Sequence, residues 1–226
     1  MATLIAEDLL LLLLDDEKGT STSSYLDTVL GGALLLELAL ADAVVVRERT
    51  SIWSGAKVVA RPGATVEDPV LRAALATVAD RERSASDLVG RLGKGAKDAL
   101  ADRLAQRGVL ARHDDRVLGL FPRTRWLPAD TAHEQELRRA LTAVLVRGAE
   151  PDQRTGALAA LLSSVDKAPT AVDHPGVPAR DVRRRAKQVA EGAWAAKAVK
   201  DAIAASTAAI MAGVTAATIT TTTTSG

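Results

Sequence analysis

Apolar and polar positions follow a helical period along most of the chain. Leu88, Leu92, Ala96, Leu100 and Leu104 recur every four residues while Lys94, Lys97, Asp98, Asp102 and Arg103 fall elsewhere, which lays one apolar stripe along a helix. Gly93 and Gly95 interrupt the stripe, so it fits either one weakened helix or two that break there. Residues 6–14 predict a short helix ending at Asp15, Asp16, Glu17 and Gly19, and residues 25–41 a buried helix with Leu30, Leu34, Leu38 and Ala41 on one side. The β-branched runs 44–47 and 57–60 predict strands, either paired or separately extended. Residues 70–79, 133–146, 151–165, 180–191 and 194–219 predict further helices, and 168–178, with three prolines and a glycine, a loop.

Val109 and Leu110, a polar turn over 113–116 and the return over 117–121 predict a β-hairpin. Pro122 and Pro128 bracket Arg123, Thr124, Arg125 and Trp126; since proline lacks a ladder donor, this stretch is expected to be a loop or an irregular edge. Aromatic residues make up only 2% of the 226 residues against 47% hydrophobic, so the core is built from Ala, Leu and Val. Such a core favours closely packed helices, and the fold is expected to be mostly α, a single domain over 1–219 with a disordered Thr-rich tail at 220–226.

The chain has no cysteine, which excludes thiol catalysis and Cys-ligated metal, and His113, His133 and His174 stand too far apart for a helical ligand pair. No G-x-S-x-G elbow is present, and Gly93-Lys94-Gly95 lacks both the leading glycine and the following hydroxyl of a phosphate loop. No catalytic residue, metal or cofactor is expected. The leucine run 9–14 is too short to span a membrane and has acidic flanks, and the uncharged stretch 202–219 is mostly Ala, Thr and Ser, which suits a buried helix better than an anchor. The protein is expected to be cytoplasmic.

The net charge is only +1, yet between Arg91 and Arg125 nine cations face four carboxylates. Lys94 and Lys97, three apart, can share a helix face beside a helix start near Gly95, which predicts an anion site of which Arg91 is a further member. Leu118, Leu120, Phe121 and Trp126, with Arg123 and Arg125 among them, suggest an interfacial contact in which Trp126 is the anchor. The order helix, basic helix, hairpin also fits a winged-helix DNA-binding unit; Asp98 and Asp102 on its reading helix would repel phosphates, so nucleic acid is the disfavoured partner.

The stretch Glu7-Asp8-Leu9-Leu10-Leu11-Leu12-Leu13-Leu14-Asp15-Asp16-Glu17-Lys18-Gly19, followed by Leu34-Leu35-Leu36-Glu37-Leu38-Ala39 and later Leu104-Ala105-Gln106-Arg107-Gly108-Val109-Leu110, resembles the Golgi phosphoprotein 3 family, as a bacterial member, from about Glu7 to Ile219. The resemblance implies a single compact helical domain with a protruding hydrophobic hairpin, docking peripherally on phosphoinositide-bearing membrane through a basic pocket. It places Thr22 and Gly31 where eukaryotic members carry a Trp and an Arg for phosphatidylinositol 4-phosphate, and Lys94 and Lys97 where they carry two arginines. Lysine keeps the charge without the bidentate fork of arginine, so an anionic phospholipid site is implied more firmly than selectivity for that lipid. Membrane-protein cargo is a partner the family implies; its coat-binding basic extension is not matched here. Self-association would add avidity to a site of this kind.

Overall fold

The computed structural model describes residues 3–47, 57–117, 121–192, 201, 203–212 and 214. At its centre lies α1 (Ile5–Leu13), every residue of which is buried. The five leucines from Leu9 to Leu13 leave its second half no polar face, so that half must be enclosed. Helices α2 (Leu26–Leu40), α5 (Ala96–Gln106), α6 (Ala132–Leu145) and α7 (Gln153–Ser164) all pack against it.

The broadest helix–helix contact joins α2 to α4 (Ala85–Gly93). Their backbones touch: a Cβ on Gly31 would lie 2.0 Å from the Val89 carbonyl oxygen, and one on Gly93 2.0 Å from that of Asp27. Only glycine permits this approach. The predicted stripe from Leu88 to Leu104 is buried throughout, and the chain breaks between α4 and α5 at Gly95, whose φ of 74° is the left-handed conformation that glycine adopts freely. Helix α3 (Pro69–Asp80) begins at Asp68, whose carboxylate accepts from the N–H groups of Val70 and Leu71 at 2.8 and 3.3 Å.

The two β-branched runs form a pair. Strands β1 (Val44–Arg47) and β2 (Lys57–Ala60) lie antiparallel with Val44 opposite Ala60, and β3 (Arg83–Ser84) adds to the other edge of β2. The hairpin forms a separate two-stranded sheet of β4 (Leu110–Val117) and β5 (Phe121–Pro128), in register from Leu110 opposite Pro128 to Val117 opposite Phe121. The stretch 123–126, expected as a loop or an irregular edge, is therefore an edge strand in regular register. In a two-stranded ribbon each strand is an edge, so a proline can turn its missing N–H to the unpaired side.

Helix α8 (Ala179–Ala190) buries Val182, Ala186 and Val189, and the helical residues 203–212 bury Ile203, Ala205, Ser206, Ala209 and Ile210 as the core-helix reading of this stretch expects. Among the described residues no helix is long and apolar enough to cross a membrane. Trp53, Trp194, Leu118, Leu120 and the tail 220–226 lie outside the described residues.

The first turn of α1 holds two carboxyl groups at 0% exposure, Glu7 and Asp8. Glu7 accepts from the Leu4 N–H at 2.7 Å and meets Arg103 of α5 and Arg107, just past the end of that helix, at 3.1 and 3.3 Å. Asp8 meets His133 of α6 at 2.7 Å through one oxygen and Arg154 of α7 at 2.5 Å through the other, while Arg154 also reaches the Thr3 carbonyl. Beside them, Glu37 of α2 accepts from the Ile5 N–H at 2.9 Å. Burial raises the Glu37 carboxyl to about 7, with Arg154 and the Ile5 N–H opposing the rise.

This predicts an unusual pH dependence. The unfolded chain releases the Glu37 proton near 4.5 and the folded one near 7, so the folded state holds more protons between those values and loses stability as pH rises through them. Glu134 is raised by burial against its Arg138 partner and acts in the same direction. Glu37→Gln is expected to remove most of the loss, up to about 3 kcal/mol, in urea melts across this window. Parallel pH profiles for the two proteins would show that Glu37 is not the source.

Candidate functional site

Most of the basic residues between Arg91 and Arg125 are engaged within the protein. Arg91 pairs with Asp87 at 3.0 Å, one turn back on α4. Arg103 bridges Glu7 and Asp68, the latter at 2.8 Å, and Arg107 turns in to Glu7. Burial opposes ionisation of Asp68, but the Arg103 hydrogen bonds and the N–H groups of Val70 and Leu71 outweigh it and hold the carboxyl below its usual range. Arg112 meets Asp114 at 3.1 Å and Asp102 at 3.8 Å. Arg123 and Arg125 both meet Asp115 at 2.9 Å, and the Arg123 hydrogen bond, against slight desolvation, draws that carboxyl below its ordinary range. Arg116 is described by its backbone alone.

Two cations are left. Lys94 is exposed and Lys97 half-buried, and neither ammonium has an ion-pair or hydrogen-bond partner among the described residues. They flank Gly95, which starts α5 without a side chain to cap it. The first-turn N–H groups of α5 thus lack a side-chain acceptor and add their partial positive charge to that of the lysines. Beside this turn runs an open groove of about 350 Å³ lined by α3, α4 and α5, with Leu34 and Leu100 among its lining residues and Lys94, Gly95 and Ala96 bordering it.

The other residues placed in the headgroup site by resemblance fare differently. Gly31 is buried with the α4 backbone against it, one residue short of Lys94 at Gly93, so it offers no surface to a ligand and leaves no room for a side chain. Thr22 is exposed, and its hydroxyl donates to the Leu13 carbonyl at 3.0 Å, tying down the turn after α1.

The hairpin also departs from the interfacial reading. Trp126 is 2% exposed, a core residue and not an anchor. Its N–H donates to the Gly19 carbonyl at 3.0 Å, its ring is covered by Arg112 at 5.7 Å, and its indole Nε1 has no partner. The alternation of β5 places Trp126 on the opposite face from Arg123 and Arg125. Those two arginines, held by Asp115, belong to a charge-paired stem, where they were expected as part of an inserting surface. Phe121 is described by its backbone, opposite Val117.

The sequence matches the Golgi phosphoprotein 3 (GPP34) family over residues 5–206. The chain belongs to that family. The helical architecture and the hairpin agree with the resemblance that the leucine-rich segments carry. A search of curated proteins returns no match. In this GPP34 member the groove residues Leu34, Val70, Ala73 and Ala99 escape a reading based on charge and aromatic signals, because aliphatic residues at helical spacing look the same whether they pack or line a groove.

Trp126→Ala is expected to lower stability by about 3–5 kcal/mol, the range for removing a large aromatic side chain from a core. Chemical denaturation followed by circular dichroism reads this directly. A variant as stable as the parent would return Trp126 to the surface.

Proposed function

We propose that this GPP34 member is a peripheral membrane protein that binds anionic phospholipid headgroups at the α4–α5 turn and carries out no chemical step. The observation that carries this reading is the pair of unpartnered lysines, Lys94 and Lys97, at an uncapped helix start, in a segment whose other described cations are all ion-paired within the protein. Near an anionic leaflet each lysine contributes roughly 1 kcal/mol, and the helix terminus adds about 0.3–1 kcal/mol. The result is a reversible, salt-sensitive association on the cytoplasmic face of a membrane. Phosphatidylinositol 4-phosphate is the finer assignment that the family suggests. A contact this weak gains from a second one, through self-association or a membrane-protein cargo.

The DNA-binding alternative loses its main support from the same geometry. Arg103 and Arg107, the cations that a reading helix would present, are turned inward to Glu7 and Asp68, and β3 pairs with β2 where a winged helix would add it to the hairpin.

Sedimentation with phosphatidylcholine vesicles of graded phosphatidylserine or phosphatidylinositol 4-phosphate content tests the proposal. Binding is expected to rise with acidic lipid, to fall with salt, and to drop at least tenfold in Lys94→Glu/Lys97→Glu, with the thermal melt unchanged. Equal binding to neutral and acidic vesicles contradicts it, as does binding of duplex DNA without binding of lipid.

A further inference from the structure

The groove beside the lysines calls for an occupant of mixed character. Its charged lining residues, Arg91 and Lys94, both come from the end of α4 and the turn after it, whereas the rest of the lining is almost wholly apolar: Val70, Ala73 and Ala74 from α3, and Leu92, Ala96, Ala99 and Leu100 from α4 and α5. Thr77 is the one hydroxyl in the lining, and it already donates to the Ala73 carbonyl at 3.0 Å. An extended peptide laid in the groove would find few partners in the lining for the backbone N–H and C=O groups it turned inward. A hydrocarbon chain needs no partners. The groove volume, about 350 Å³, lies within the usual range for small-ligand sites.

We infer that the groove between α3 and the α4–α5 turn takes one acyl chain of the anionic phospholipid whose phosphate lies at Lys94 and Lys97. This inference rests on the headgroup reading above and extends it, since it makes the site a receptor for a phosphate joined to a chain and not for a charged surface alone. Charge and apolar surface meet at Lys94, where the phosphate of such a lipid passes into its hydrocarbon. Ala73 of α3 and Ala99 of α5 are exposed residues on the two walls, so larger side chains there fill the groove from the solvent side without entering the core.

Binding of glycerol phosphate and of hexyl, octyl, decyl and dodecyl phosphate below their micelle-forming concentrations, measured by calorimetry on the full chain, separates the two readings. In the wild type, affinity is expected to rise roughly two- to fourfold per added methylene until the groove is filled. Ala73→Phe and Ala99→Phe, made separately and checked by thermal melts, are expected to flatten that rise while leaving glycerol phosphate binding unchanged. Lys94→Glu/Lys97→Glu is expected to weaken every member of the series. Affinity independent of chain length in the wild type overturns the groove assignment but leaves the lysine site standing, and so does a chain-length dependence that survives both groove-filling variants. If the wild type binds neither the phosphates nor acidic vesicles, the headgroup reading falls and the groove assignment with it.

Discussion

Glu7 and Asp8 sit at zero exposure in the first turn of a helix that is itself enclosed on every side, and the arrangement of the helices around α1 answers to that burial. Removing a carboxylate from water costs several kcal/mol unless well-placed partners compensate. Here the partners come from three separate helices and the end of one of them: Arg103 from α5 with Arg107 just after it, His133 from α6 and Arg154 from α7. The acidic end of α1 also sits where the helix dipole favours negative charge. The same contacts that make the burial tolerable fix the positions of α5, α6 and α7, and Arg103 passes the constraint on to α3 through Asp68.

The electrostatics of the surface follow from this interior demand. Arginine, with a planar fork and weak hydration, suits the buried or shared carboxylates, and the described arginines around the hairpin and α5 serve in that way. Lysine is a strongly hydrated point charge, better kept at the surface, and among the described residues of the segment from Arg91 to Arg125, Lys94 and Lys97 remain there without a partner. The excess of positive charge in this segment therefore overstates what a ligand meets, because most of it is balanced within the fold. What is left is a two-lysine turn beside an apolar groove.

Elements with strong periodicity were legible in the sequence. The four-residue stripe from Leu88 to Leu104, the β-branched runs of β1 and β2 and the helices α3, α6, α7 and α8 all appear within a few residues of their expected bounds. Pairing was harder to read. Nothing local to Glu7, a residue in a plainly acidic flank, reveals that Arg103 lies against it, since the contact closes across nearly half of the chain. Gly31 and Gly93 held a readable signal, glycines inside helical patterns, but which helices they bring together is a tertiary fact. Trp126 failed for a different reason: its flanking arginine and prolines suggested an exposed loop, whereas strand alternation separates it from Arg125 and turns it inward against Gly19.

The central claim is that an acidic membrane is met by the turn between α4 and α5. Lysine footprinting by acetylation and mass spectrometry, on the full chain with and without vesicles of mixed phosphatidylcholine and phosphatidylserine, tests this residue by residue. Lys18 and Lys187, exposed at the turn after α1 and on α8, serve as internal references. The account predicts that Lys94 and Lys97 become protected several-fold by acidic vesicles, not by neutral ones, while the references react as before; protection of the references with Lys94 and Lys97 still reactive would contradict it.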